Sequence, residues 1–165
     1  MAYNPSMTIR PATPDDAAHI APMVQQLADL HESWDVQKYP YRPNIGQRYV
    51  SWLKARATDP RSVLLVAERE GKLVAFLVGA VEEEIPIYRI TETGFIHDVW
   101  VDEKYRNEGI ARQMVMLAIE KFRAMGMKQV RLDTAARNET ARKLFESCGF
   151  RASSIEMLVE ITGES

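Results

Sequence analysis

Residues 106–111, which read Arg-Asn-Glu-Gly-Ile-Ala, place a cation and two small residues at the start of an apolar helical pattern. A helix start has about four backbone N–H groups without internal acceptors, at the positive end of the helix dipole. Gly109 and Ala111 leave this backbone open to an anion, and Arg106 adds a positive charge. The pattern predicts a pyrophosphate-binding turn. A turn that needs glycine only for its geometry is the alternative, since the glycine patterns of dinucleotide-binding folds and P-loops are absent.

The flanking sequence predicts the strand and the helix that must hold this turn. Residues 94–101 are rich in strand formers, and residues 109–125 repeat apolar positions at helical spacing before Gly126. Two further strands, 63–67 and 73–81, are separated by Glu70-Gly71. This spacing predicts a hairpin.

The N-terminal part of the chain predicts one short strand and two helices. The strand covers residues 8–10, and Thr13 is placed to cap the helix that follows. Pro22 lies inside the pattern of that helix and predicts a kink. Residues 31–43 are expected to be irregular, and a second helix is predicted over residues 45–57.

The C-terminal part predicts a strand over residues 130–134, a helix that Asn138 caps and Gly149 ends, and a last strand over 157–161. The complete order is β-α-α-β-β-β-α-β-α-β. This order indicates an α/β protein in which helices cover both faces of a mixed sheet. Residues 1–165 are expected to form a single domain.

The composition and the net charge exclude some classes of partner. The 165 residues are 46% hydrophobic, and 21 Lys and Arg against 23 Asp and Glu give a net charge of −2. Such a balance provides no overall positive field for nucleic acid. The longest apolar run, 73–81, is far shorter than the ~20 residues that cross a bilayer, and no secretory signal is evident. We therefore expect a cytoplasmic protein with neither nucleic acid nor membrane as a partner, and its single cysteine, Cys148, excludes an internal disulfide.

Two motifs together resemble a known family. Residues 106–111 are similar to the Arg/Gln-x-x-Gly-x-Gly/Ala signature of the GNAT superfamily of N-acetyltransferases. Residues 138–150, which begin with Asn and end with Gly-Phe, resemble the second motif of that superfamily. The resemblance implies a GNAT-like fold, with a central mixed, mostly antiparallel sheet. The strands at 95–101 and 130–134 splay apart in such a fold.

The resemblance also implies acetyl-CoA as cosubstrate, no metal, and transfer of acetyl to a primary amine by direct attack on the thioester. The expected backbone contacts of the pantetheine arm are Val99, Trp100 and Val101. The residues expected around the pyrophosphate are Arg106, Asn107, Glu108, Gly109, Ile110, Ala111 and Arg112. Asn138 is expected beside the pantetheine or the thioester, and Phe145 is the remaining cofactor contact. Asn107 stands where the family usually has glycine, and asparagine tolerates a left-handed backbone better than most residues.

An amine must lose its proton before it can attack, so a general base is expected. His97 lies where many relatives carry a glutamate, and histidine, with an ordinary pKa of about 6.5, accepts protons at neutral pH. Strand alternation predicts that its neighbour Asp98 points to the opposite face. A histidine packed among apolar neighbours is the alternative role for His97. Glu92 and Glu84 are the fallback bases.

Phe145 departs from the family pattern. A tyrosine commonly stands at this position and protonates the departing thiolate of coenzyme A, which phenylalanine cannot do. A thiol with a pKa of about 8.5 can also leave as the anion. The departure makes a non-catalytic acyl-CoA-binding or sensor domain the alternative function.

The acceptor site is expected in residues 31–43 and 82–93, where acidic and aromatic residues suit a cationic amine. Trp34, Tyr39 and Glu84 are the candidate contacts, and solvated surface charge is the alternative interpretation of these segments. A small-molecule amine and a peptide amine are both compatible with the sequence. GNAT proteins often pair through sheet edges or C-terminal strands, so the resemblance also allows a homodimer.

Overall fold

A computed structural model describes residues 6–162 of the chain. Its strands are β1 (Thr8–Pro11), β2 (Ser62–Arg69), β3 (Lys72–Glu83), β4 (Glu92–Val101) and β5 (Val130–Leu132). Its helices are α1 (Ala17–Trp34), α2 (Ile45–Thr58), α3 (Ile110–Ala124) and α4 (Glu139–Ser147). The strands form one sheet in the order β1-β2-β3-β4-β5. Pairing is antiparallel from β1 to β4 and parallel between β4 and β5, which confirms the predicted mixed sheet.

Each face of the sheet carries its own hydrophobic core. On one face the fully buried Met114 and Phe122 of α3 pack against Leu77 of β3. On the other face Ile20 of α1 and Leu53 of α2 pack with Phe76, which directly precedes Leu77 in β3. Helices therefore cover both faces, as predicted, because the buried residues of the central strands alternate between two apolar layers.

The predicted turn and cap signals form as expected. Glu70 and Gly71 connect β2 to β3 with φ angles of 51° and 75°, a turn that joins antiparallel strands closely. Thr13 and Asp16 form a reciprocal cap ahead of α1. The guanidinium of Arg10 lies 2.8 Å from Asp16 and lowers the pKa of that carboxyl to about 2, so this cap is charged at neutral pH.

Strand β4 departs from strict alternation at His97. Val78 of β3 pairs with Asp98, and the next residue, Gly79, pairs with Ile96, which leaves His97 without a partner on β3. This β-bulge shifts the alternation by one residue. The prediction that Asp98 points to the face opposite His97 is therefore wrong, because the side chains of both residues contact α2.

Most element ends, including that of β5, differ from the prediction by one or two residues, and two segments differ in kind. Residues 31–34 are helical rather than irregular, because Leu27, Leu30 and Trp34 continue the spacing of α1 and neither Gly nor Pro occurs between Pro22 and the end of the helix. The predicted strand over residues 157–161 is absent. Those residues have no backbone hydrogen-bond partner within the described part of the chain. None of the helices in residues 6–162 has both the length and the apolar character needed to cross a membrane.

Candidate functional site

The turn before α3 offers a continuous row of backbone donors. The N–H groups of residues 107–112 have no acceptor among residues 6–162. Asn107 and Gly109 hold the turn in shape with left-handed φ angles of 64° and 80°. A Cβ built on Gly109 would meet its nearest neighbour, the amide of Gln113, only at 4.0 Å. This turn is therefore open to a ligand, and its amides together with the helix dipole favour an anion.

Side-chain charges around this turn favour an anion as well. The Nε of Arg106 donates to the carbonyl oxygen of Val101 at 2.9 Å, and its guanidinium lies 4.6 Å from the centre of the Trp100 ring. Arg106 is thereby held at the end of β4. Glu108 would repel an anion, but Arg69 lies 2.7 Å from its carboxylate and offsets that charge.

The edge strand β5 separates from β4 next to this turn. β5 pairs with β4 only from Gly94 to Ile96. Beyond that point, at residues 97–101, the β5-side edge of β4 has no strand partner within the described chain. The side chains of Trp100 and Val101 are buried in the two cores, so these residues offer a ligand mainly their backbone.

Residues of the second motif lie on and around α4. The Oδ1 of Asn138 accepts a hydrogen bond from the N–H of Ala141 at 3.1 Å and caps this helix. The ring of Phe145 packs against that of Phe150, with 5.8 Å between their centres. Arg112 of α3 reaches the carbonyl oxygen of Ser147 at 3.5 Å, which links the start of α3 to the end of α4.

A cluster of polar and aromatic side chains surrounds the bulge of β4. The Nε2 of His97 lies 2.8 Å from the carboxylate of Glu82, and its ring meets the indole of Trp52 edge-on at 5.5 Å. The hydroxyl of Tyr49 donates to Asp98 at 3.0 Å. We call these residues, together with His31 and Tyr41, the bulge cluster.

His31 and Tyr41 extend this cluster toward the end of α1. The Nδ1 of His31 lies 3.2 Å from the hydroxyl of Tyr41. The ring of His31 also lies 5.7 Å from that of Trp34 and 4.9 Å from that of Tyr39, which brings these two predicted acceptor contacts to the bulge cluster.

Burial controls the charges inside the bulge cluster. It raises the pKa of Asp98, although the hydrogen bond from Tyr49 opposes the shift. It lowers the pKa of His31 and raises that of Tyr41 to about 12, so at neutral pH His31 is uncharged and Tyr41 keeps its proton. Asp98 is thus a desolvated acid that accepts one side-chain hydrogen bond, from Tyr49.

The two fallback bases lie in ion pairs. Glu92 pairs with Arg61 at 2.6 Å, and Glu84 pairs with Arg131 at 2.9 Å.

Sequence reasoning missed Glu82, Tyr49, Trp52 and Asp98 as neighbours of His97. The available signal was Asp98 itself, a carboxylate directly between His97 and the apolar residues 99–101. Among residues 6–162, His, Cys, Asp and Glu side chains form no group of three or more that could hold a metal ion.

Comparison with known proteins places these features in context. The family model described as "Acetyltransferase (GNAT) family" matches residues 25–150. The human protein N-acetyltransferase 8 is 33% identical over 122 residues, which are 72% of this chain and 53% of that protein. The chain thus spans about half the length of that relative, and 42% of the Bacillus subtilis uncharacterized N-acetyltransferase YycN.

Solved structures show the same fold. A mutant of the BH1408 protein from Bacillus halodurans superposes with a TM-score of 0.83 at 25% identity, covering 94% of this chain and 99% of that one. The aminoglycoside N-acetyltransferase AAC(6')-Iy, solved in complex with CoA, superposes with a TM-score of 0.76 at 15% identity and covers 98% of both chains.

Proposed function

This chain belongs to the acetyltransferase (GNAT) family, and we propose that it transfers an acetyl group from acetyl-CoA to a primary amine by direct attack. The observation that carries the proposal is the run of unpaired N–H groups at residues 107–112 beside Arg106. Six consecutive amides at a helix start can surround a pyrophosphate, and the open edge of β4 continues from that turn toward the bulge cluster.

Different residues along this path bind different parts of acetyl-CoA. The amides of residues 107–112 hold the two phosphates, and Arg106 contributes its charge. The backbone of Val99, Trp100 and Val101 pairs with the pantetheine arm along the edge that β5 leaves open. Asn138 and Phe145 border the thioester end from α4. Acetyl-CoA supplies an activated acyl carbon with a thiolate leaving group.

His97 is the proposed general base. An imidazole whose Nε2–H donates to Glu82 keeps the lone pair of Nδ1 free to accept a proton. The ammonium of the acceptor gives its proton to this nitrogen. The neutral amine then attacks the thioester carbon, so that an N–C bond forms and the C–S bond breaks, and the second proton of the attacking nitrogen passes to the departing thiolate or to water. Backbone N–H groups on the open edge of β4 stabilise the oxyanion, and the thiolate leaves without a proton from Phe145.

The bulge cluster favours a cationic acceptor. The carboxylates of Asp98 and Glu82 flank His97, and the rings of Trp34 and Tyr39 border the same region through His31. Acid groups and aromatic faces both attract an ammonium group. Glu84, which pairs with Arg131, takes a supporting position at the β5 side of this region.

Turnover with a panel of amines tests the proposal. Polyamines, aminoglycosides, amino acids and lysine-containing peptides are each incubated with acetyl-CoA, with detection of free thiol and mass analysis of the acceptor. We expect a cationic primary amine to gain one acetyl group on nitrogen, while hydroxyl analogues gain none. Binding of acetyl-CoA without turnover across the whole panel would contradict the proposal and support a sensor domain instead.

A further inference from the structure

A small cavity lies at the edge of the sheet where β1 ends. Its volume is about 80 Å³, and its walls come from β2, α3 and the ends of β1 and α2. The residues that bring polar groups to this edge cavity are Arg56, Asp59, Ser62, Leu64 and Lys121. None of them belongs to the turn before α3 or to the bulge cluster.

Arg56 brings to the edge cavity a guanidinium that lacks acceptors. Its side chain is 25% exposed, and its Nε is buried with no hydrogen-bond partner among residues 6–162. The Oδ2 of Asp59 lies 3.4 Å from Nη1, well beyond the 2.7–2.9 Å of a charge-assisted hydrogen bond. The ring of Trp52 lies 5.6 Å from the guanidinium carbon and holds the group in place. A guanidinium buried to this degree normally has well-aligned acceptors, so their absence points to an anionic ligand.

The backbone of β2 provides a second donor without an acceptor. The carbonyl oxygen of Leu64 accepts from the N–H of Ala12 at 2.9 Å. Residues that face each other in this way on antiparallel strands normally exchange two hydrogen bonds. Here the exchange is incomplete, because β1 stops pairing at Pro11 and the N–H of Leu64 has no backbone acceptor among residues 6–162.

Lys121 adds a second cation from the other face of the sheet. Its side chain is half-buried, and the neighbouring Glu120 pairs with Arg123. Lys121 therefore has no carboxylate partner among residues 6–162. A position near the end of a helix suits the charge of both Lys121 and Arg56, but it supplies neither of them with an acceptor.

The charge balance and the size of the edge cavity define the ligand. Its two cations face one carboxylate, that of Asp59, which is already held by donors. Oδ1 of Asp59 accepts from the N–H of Arg61 at 2.9 Å, and Oδ2 accepts from the hydroxyl of Ser62 at 2.8 Å. A volume of about 80 Å³ has room for several water-sized groups at about 10–15 Å³ each. A tetrahedral oxyanion of the size of phosphate fits this space.

We propose that the edge cavity binds a phosphate-sized oxyanion, with Arg56, Lys121 and the N–H of Leu64 as its donors. Inorganic phosphate and the phosphoryl group of a small metabolite share this chemistry. Because α2 and α3 cover opposite faces of the sheet, the bound anion joins the two helices at this edge. This inference does not depend on the proposed enzymatic activity, since no residue of the edge cavity takes part in that activity.

An NMR titration of the chain with inorganic phosphate, at constant ionic strength, tests the proposal. Phosphate is also expected at the turn before α3, and separate amide signals distinguish the two sites. The Leu64 amide reports on the edge cavity, and the amides of residues 107–112 report on the turn. We expect a saturable shift of the Leu64 signal. Methyl phosphate is the second probe, and tighter binding of this monoester than of phosphate identifies a metabolite as the source.

Variants of the cavity residues decide the outcome. Arg56→Gln should weaken the binding seen at Leu64 about tenfold or more, the loss expected for a charged donor. Lys54→Gln is the matched control, because Lys54 is an exposed cation of the same helix outside the cavity. Lys121→Gln gives the same test from the other helix, should Arg56→Gln fail to fold. A Leu64 signal that neither probe shifts, or that saturates alike in the cavity variants and in Lys54→Gln, would overturn the proposal.

Discussion

His97 and Asp98 are neighbours along β4, and yet both side chains contact α2. The cause is one unpaired residue, since the bulge at His97 shifts the alternation of everything after it. The bulge also coincides with the end of β4–β5 pairing at Ile96. His97, which we propose as the base, the half-buried Asp98 and the opening between the strands thus share one local distortion of the backbone.

Replacement of His97 by glutamine tests the proposed base. We expect His97→Gln to lower kcat about 100-fold or more, because proton transfer contributes that much, while the Kd of acetyl-CoA stays unchanged. Glu92→Gln is the control, because Glu92 is bound by Arg61 and should not affect kcat. Equal losses in the two variants would contradict the assignment.

We expect the ionised carboxylate of Asp98 to lower the free energy of unfolding while it strengthens binding of the acceptor amine. Its pKa in the folded chain lies above the ordinary value, so the folded state holds the proton more tightly than the unfolded state. The ionised carboxylate therefore costs folding free energy as pH rises above about 4. We expect Asp98→Asn to be more stable than the wild type at pH 7, with the difference fading near pH 3.

Steady-state kinetics of Asp98→Asn test whether the carboxylate also contributes to binding of the amine. Loss of the Asp98 charge should raise the KM of the amine about tenfold and leave the affinity for acetyl-CoA unchanged, since a charge-assisted contact is worth about that factor. Denaturant titrations of Asp98→Asn and the wild type at pH 7 and at pH 3 measure the difference in the free energy of unfolding. A variant that is less stable than the wild type at pH 7, with unaltered KM, would show that Asp98 serves packing alone.

Gly109 provides a residue-scale test of the cofactor turn. Gly109→Glu places a negative charge at the row of amides, and we expect the Kd of acetyl-CoA to rise about tenfold or more. Gly126→Glu is the matched control, because the two glycines have φ angles of 80° and 88° and similar open space. Both variants pay a similar backbone strain of about 1–2 kcal/mol. Equal affinities in the two variants would exclude the turn as the phosphate site.

At the scale of the elements, β4 and α3 pack closely at one point. There the ring of Phe122 in α3 leaves no room for a side chain at Gly94 in β4. A Cβ on Gly94 would lie 2.5 Å from Cγ of Phe122, which is fully buried. We expect Gly94→Ala to lower the free energy of unfolding by about 1–3 kcal/mol, the usual cost of overpacking. Chemical denaturation measures this loss.

The double variant Gly94→Ala/Phe122→Ala separates the causes of that loss. Alanine removes Cγ and the ring that the new methyl group would meet, so the two changes together should cost less than the sum of the single changes. Strict additivity would indicate that Gly94 acts through its backbone rather than through Phe122.

The elements were largely predictable from the sequence, and their tertiary relations were not. Helical spacing, Asn138 as a cap and the Glu70-Gly71 turn are local signals, and each predicts what the structure contains. The bulge at His97 depends on the pairing between β3 and β4, which no local pattern contains. The segment 157–161 has the alternation of a strand, but alternation cannot show whether a partner edge lies within the chain.

On the scale of the whole molecule, the sheet lies between the proposed cosubstrate turn and the bulge cluster. The turn of residues 106–111, which we propose binds the phosphates, lies at the start of α3 on one face, and the bulge cluster lies against α1 and α2 on the other. The opening between β4 and β5 connects the two faces. In our proposal acetyl-CoA and the amine approach from opposite faces and meet beside His97. The net charge of −2 makes these local sites, rather than an overall field, responsible for binding an anionic cosubstrate.

The most direct test of this account is a calorimetric titration of the purified chain with acetyl-CoA, with NAD and ATP as controls. The account predicts one site per chain that binds acetyl-CoA and discriminates against both controls, which also carry phosphates but lack the pantetheine arm. If folded protein, shown to be free of copurified cofactor, gives no binding or binds all three alike, the proposed acetyl-CoA site is contradicted.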